Sequence, residues 1–283
     1  MVLAVGFGTS VADDEIRFPP MTPDNRESQV MLQPLSNGGV REVVWSPDSQ
    51  QLAVSASGGA WIYDISQPNT PSYPVKDQQL RSFVAYSPQG DIYISYTPLD
   101  FCPMGICEGG QKAVVYDANT HEVLYQIHGT GSITVDFTQD GSLVAISGVG
   151  YGIMIWRTNS FRENIGKKPS DFAQCHINTN ATPIGMTLSP DGSLITYGGW
   201  RPQMASPGDN SVWFWDTQTC EVHLEVPVYP DDDTAYPPPT AYAEAYSPNG
   251  QYAIIASLAD NQTLHLWDVM AGADLGRLSG NVI

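Results

Sequence analysis

Apolar residues in this chain come in short runs, and almost every run stops at a polar turn. The clearest alternation is Ser132-Ile133-Thr134-Val135-Asp136-Phe137, where Ile133, Val135 and Phe137 share one face and the polar residues share the other. A strand follows from that period of two. Continuous apolar runs read as buried strands at Leu52-Ala53-Val54, Ile92-Tyr93-Ile94, Leu143-Val144-Ala145-Ile146, Leu194-Ile195-Thr196-Tyr197 and Tyr252-Ala253-Ile254-Ile255. No long segment has helical period. Strands are also read at Glu122-Val123-Leu124-Tyr125-Gln126-Ile127 and Glu221-Val222-His223-Leu224-Glu225-Val226, so the predicted class is all-β.

Each of the five apolar runs is preceded by a turn pentad. The copies are Trp45-Ser46-Pro47-Asp48-Ser49, Tyr86-Ser87-Pro88-Gln89-Gly90, Phe137-Thr138-Gln139-Asp140-Gly141, Leu188-Ser189-Pro190-Asp191-Gly192 and Tyr246-Ser247-Pro248-Asn249-Gly250. Pro presets φ, Asp or Asn bonds its own backbone, and Gly tolerates positive φ, so each pentad predicts a hairpin. A third strand then ends on an aromatic-Asp pair or its variant: Tyr63-Asp64, Tyr116-Asp117, Trp156-Arg157, Trp215-Asp216 and Trp267-Asp268.

Turn pentads alternating with Trp-Asp endings, the pentad hydroxyls spaced 41, 51, 51 and 58 residues apart, resemble WD40 repeats lengthened by insertions. The resemblance covers roughly residues 30 to 283 and implies a β-propeller of four-stranded antiparallel blades, five of them readable. Repeats fall at about 36–79, 80–128, 129–179, 180–239 and 240–283, after a leader over 1–27. The Gly-His dipeptide of the family is absent, and its turn Asp is matched only by Asp209 and Asp260, so TolB-like and peptidase-associated propellers stay open. Outer strands read at Gln29 to Leu35 and Asp274 to Leu278 make six for five blades. The expectation is a fragment of a larger ring, with self-association through open blade edges if the ring is incomplete.

Charge narrows the partners. With 12 basic against 30 acidic residues the formal charge is -18, which repels phosphate backbones and argues against nucleic acid. No run of about 18 apolar residues offers a membrane span. Val2 to Val11 is apolar and small-residue rich, and Ser10-Val11-Ala12 precedes Asp13-Asp14-Glu15 like a signal-peptidase site. Residues 1–12 as a signal imply an extracytoplasmic or secreted protein; otherwise it is cytoplasmic. The four cysteines allow two disulfides, with Cys102 and Cys107 the preferred pair across a Pro- and Gly-containing loop. Neither a cofactor nor a metal is expected; Asp231-Asp232-Asp233 lacks the alternate spacing and Gly of a calcium loop.

Alternating strand direction places the loops between second and third strands, and those between blades, at one end of the sheets. The insertions Pro98 to Gly110, Gly199 to Asn210 and Pro227 to Thr240 fall there, and they carry the candidate binding residues Asp100, Phe101, Glu108, Trp200, Arg201, Asp231, Asp232, Asp233 and Tyr236. The opposite end carries Thr158 to Ser170 with Arg162, Lys167 and Lys168. The five His (121, 128, 176, 223, 265) sit beside no nucleophile elbow, phosphate loop or zinc motif, and His223 and His265 read as outward-facing or satisfied strand residues. The expected function is a non-catalytic scaffold for a protein partner. The alternative is a propeller enzyme or glycan-binding domain with its site at the ring centre, although the central positions read mostly as Val, Ala, Ser and Gly.

Overall fold

The computed structural model describes residues 40–56, 59–66, 71–74, 83–96, 111–129, 133–148, 152–179, 182–200, 211–227, 241–257 and 263–278. The chain divides into two units, Met1–Pro34 and Leu35–Ile283, and all described residues belong to the second. They form five four-stranded antiparallel sheets, each built from four strands consecutive in the chain. Sheet 1 holds β1 (Val40–Trp45), β2 (Gln51–Ala56), β3 (Gly59–Asp64) and β4 (Pro71–Pro74); sheet 2 holds β5 (Phe83–Tyr86), β6 (Ile92–Tyr96), β7 (Gln111–Asp117) and β8 (Val123–Gly129). Sheet 3 holds β9 (Ile133–Phe137), β10 (Leu143–Gly148), β11 (Gly152–Arg157) and β12 (Cys175–Ile177). Sheet 4 holds β13 (Thr182–Leu188), β14 (Leu194–Trp200), β15 (Ser211–Asp216) and β16 (Val222–Pro227). Sheet 5 holds β17 (Ala241–Tyr246), β18 (Tyr252–Ser257), β19 (Thr263–Asp268) and β20 (Ala273–Arg277). β20 is thus the fourth strand of its own sheet, and the predicted strand at Gln29 to Leu35 lies outside the described residues.

Each pentad closes the hairpin between first and second strands by one hydrogen-bond scheme. The hydroxyls of Ser46, Ser87, Thr138, Ser189 and Ser247 accept the backbone N–H five residues on, from Gln51, Ile92, Leu143, Leu194 and Tyr252. Each also donates to a carboxylate or amide oxygen of its turn: Asp48, Asp91, Asp140, Asp191 and Asn249. The fifth pentad residue takes positive φ, near 70° at Gly90, Gly141, Gly192 and Gly250 and 59° at Ser49.

The aromatic-Asp ending closes the turn between third and fourth strands. Asp64, Asp117, Asp216 and Asp268 accept backbone N–H groups two or three residues on, including Ser66, Thr120, Thr219 and Ala271. A short carboxylate can do this and an arginine cannot. Where Arg157 stands instead, the chain leaves the sheet as a strap, 158–174, with a one-turn helix α1 (Ser160–Glu163) and a 3-10 turn Pro169–Asp171 before it pairs as β12.

Four buried clusters hold the sheets together, one between each pair of neighbours in chain order. Sheets 2 and 3 meet through Ile92, Ile94, Val115, Ile133, Val144, Ile146 and Trp156, with Phe161 of the strap fully buried among Tyr125, Trp156 and Phe172. Sheet 3 is therefore covered on both faces. Ile133, Val135 and Phe137 face sheet 2 as their alternation implies, but the opposite face, with Leu143, Ala145 and Ile155, packs on Met186, Leu188, Ile195 and Tyr197 of sheet 4. No helix is long and apolar enough to cross a membrane among the described residues.

Candidate functional site

The strap is anchored to the sheets on either side of its own. Arg162 on α1 donates from Nε to Oδ2 of Asp117 at 2.9 Å and from Nη1 to Oδ2 of Asp91 at 3.2 Å, both in sheet 2, and from Nη2 to the Asp91 carbonyl. Burial acts to raise the Asp117 carboxyl, but the Thr120 N–H and the Arg162 guanidinium outweigh it and hold that group below the usual carboxylate range. Tyr125 of sheet 2 donates to the Asn164 carbonyl, and Trp156 Nε1 donates to the Pro169 carbonyl at 2.9 Å. Toward sheet 4, Gln174 Nε2 donates to the Thr217 carbonyl at 3.2 Å, and Cys175 is disulfide-bonded to Cys220, Cα to Cα 5.6 Å.

Beside this strap lies an open cleft of about 890 Å³. Its walls are turn residues of three successive sheets: Gln89 from sheet 2, Ser142 from sheet 3, and Asp191, Thr217 and Gln218 from sheet 4; the strap adds Asn159, Ser160, Phe172 and Gln174. Arg157 donates to Gln174 Oε1 at 3.3 Å, and Gln89 Nε2 donates to the Asp140 carbonyl at 2.9 Å. The Ser189 and Ser193 hydroxyls hold the Asp191 carboxyl below its usual range. The lining is mainly amide and hydroxyl chemistry, with one cation, one anion, one aromatic ring and Leu143.

This cleft is not where the sequence places the binding face. It lies beside the pentad turns and the strap, whereas the predicted binding loops leave the other ends of the strands. Trp200 is the last residue of β14, its backbone paired with Thr182. Asp100, Phe101, Glu108, Arg201, Asp231, Asp232, Asp233 and Tyr236 lie outside the described residues, as do Cys102 and Cys107. The pairing of Cys175 with Cys220, 45 residues apart, has no local signal, because it depends on which sheet follows the strap.

One half-buried acid escaped the sequence reading. Asp136 on β9 accepts the Leu188 N–H at 2.7 Å and the Phe137 N–H at 3.0 Å, and so latches sheet 3 to sheet 4. Burial raises its carboxyl above the ordinary value despite those bonds and the Thr187 hydroxyl. Burial also raises Glu42 on β1, and it pushes Tyr96 up to about 12, with Glu42 and Asp136 adding to the shift. Among the histidines, His223 is exposed, and His265 Nδ1 lies 2.9 Å from Asp274 Oδ2. His121 is buried with its Nδ1 3.3 Å from the Tyr93 hydroxyl, and desolvation lowers its pKa. Among the described residues, no group of three His, Cys, Asp or Glu is placed to hold a metal ion. The chain matches no known family model and no curated protein.

Proposed function

We propose that the chain is a non-catalytic interaction module, its five sheets the blades of a WD40-type propeller, and that it holds a protein partner in the cleft beside the strap. The observation that carries this reading is the composition of the cleft wall. Small-molecule sites are enclosed and mostly apolar, whereas an open trough of amide and hydroxyl groups with one separate charge of each sign suits the backbone and polar side chains of a polypeptide. Its residues stand on hydrogen-bonded turns and on a strap anchored to the neighbouring sheets, so little ordering entropy is lost when a partner docks. The alternative, a propeller enzyme or glycan-binding domain, has the half-buried Asp136 carboxylate with its raised pKa in its favour. That carboxylate is already committed to the Leu188 and Phe137 N–H groups, which fits a latch better than a reacting group.

Photo-crosslinking tests the proposal. A crosslinking residue at Gln218 in the cleft, used in the organism's own extract, should give one protein adduct. The same adduct should be absent when the probe is at exposed Met270 and lost with Arg157→Glu. Equal adducts at both positions, or none at Gln218, overturn it.

A further inference from the structure

Among the described residues, five sheets and four buried clusters leave one junction unmade, and its two halves are identifiable residue by residue. At each junction that is made, the earlier sheet contributes the residue eight beyond the start of its pentad and the residue just before its aromatic-Asp ending. In sheets 1 to 4 these are Ala53 and Ile62, Ile94 and Val115, Ala145 and Ile155, and Thr196 and Phe214, all at most 1% exposed. In sheet 5 the same positions are Ile254 and Leu266, and both are only half-buried. Ala245, which pairs with Ile254 in register and shares that face, is exposed.

The receiving half shows the complementary gap. The later sheet of each junction offers the first residue of its pentad: Tyr86, Phe137, Leu188 and Tyr246, each buried or half-buried. Its counterpart in sheet 1 is Trp45, 54% exposed, beside Val43 at 50% and Val40 at 53% on the same face of β1. Large apolar side chains in a bare row on one strand mark an interaction surface. Further across sheet 1, Val54 and Tyr63 are covered, so the bare strip is β1 itself.

We propose that a second copy of this chain occupies that strip, head to tail, with Ile254 and Leu266 of one copy against Val43 and Trp45 of the next. The occupant follows from the repeat: the surface that covers Trp45-type positions four times within the chain is the Ile254/Leu266-type surface, and one such surface is left over. Among the described residues no buried cluster joins sheet 5 to sheet 1, and Val43, Trp45 and Ala245 stay exposed. Such a contact is heterologous, with different patches on the two copies. This inference does not depend on the cleft reading.

Light scattering on the full chain across a dilution series tests it. The expected result is a mass that rises with concentration, lost in Trp45→Arg and equally in Ala245→Arg, both exposed positions, with thermal melting confirming that each variant folds. Val43→Arg replaces Trp45→Arg if the latter does not fold. An equimolar mixture of the two variants should form a dimer that grows no further, because each copy keeps one good half. A wild-type monomer at every concentration overturns the proposal, and so do variants that associate like wild type or a mixture that stays monomeric.

Discussion

Arg162 Nε lies 2.9 Å from Asp117 Oδ2, joining side chains 45 residues apart and fixing the strap of sheet 3 to the turn that closes sheet 2. The pair is partly shielded, with side-chain exposures of 35% and 15%. Arg162→Met removes the charge but keeps the stem, so it should cost about 1–2 kcal/mol in urea unfolding, below the full value of a buried charged hydrogen bond because the arginine is partly wet. Asp117 has a depressed pKa, so its contribution is present above the ordinary carboxylate range and is lost as pH falls through its folded value. Arg162→Met should therefore flatten the acid limb of the stability curve, and an unchanged limb would remove Arg162 as its cause.

The other end of the strap predicts redox-dependent stability. Cys175 and Cys220 close a loop across 45 residues, for which the chain-entropy relation gives about 4 kcal/mol. Reduction, or Cys220→Ser, should lower the melting temperature by several degrees, and reductant should add nothing to the variant through this bond. Equal melting of wild type with and without reductant would mean that the bond contributes nothing.

Much of this fold was written locally. The pentads and aromatic-Asp endings are turn chemistry satisfied within a few residues, and four-stranded sheets follow once the turns are placed. What was not local was not legible. Asp136 reads as one polar residue in an alternating strand, and only the covering of both faces of sheet 3 shows that its carboxylate is partly covered and accepts the Leu188 N–H. The cleft escaped for a related reason: Gln89 and Gln218 stand on turns of sheets 2 and 4 and Arg157 ends β11 of sheet 3, and nothing in their spacing along the chain shows that they share a wall. Arg157 was visible as a departure from Asp, and its consequence, a strap in place of a short turn, follows from its inability to cap.

The fifth pentad position separates backbone strain from packing. Gly141 has φ near 70°, and a Cβ there would lie 3.0 Å from Gln89 Cγ and 3.2 Å from the Gln89 backbone N of the neighbouring turn. Gly141→Ala should cost about 1–2 kcal/mol from the left-handed conformation alone, with crowding added. Ser49 occupies the same conformation with φ 59°, so Ser49→Gly should stabilise, by roughly 0.5 kcal/mol once the extra freedom of the unfolded chain is subtracted. Opposite signs in thermal melting are the expected outcome. A loss at both positions would show that the serine side chain contributes more than its backbone costs.

Asp136 predicts a pH dependence of the opposite sense to Asp117. Its folded-state pKa is raised, chiefly by burial, so the folded protein binds this proton more tightly than the unfolded chain. The contribution of the protonated carboxyl is fully present below the unfolded value of about 4 and declines as pH rises through the raised folded value. Asp136→Asn keeps an oxygen able to accept the Leu188 N–H and carries no charge at any pH. Unfolding free energies of the two proteins, measured by urea at intervals from about pH 4 to pH 7, should therefore shift steadily in favour of the variant as pH rises. A constant difference would show that Asp136 titrates alike in the folded and unfolded chains, and that the sheet 3 to sheet 4 latch works equally well in either protonation state.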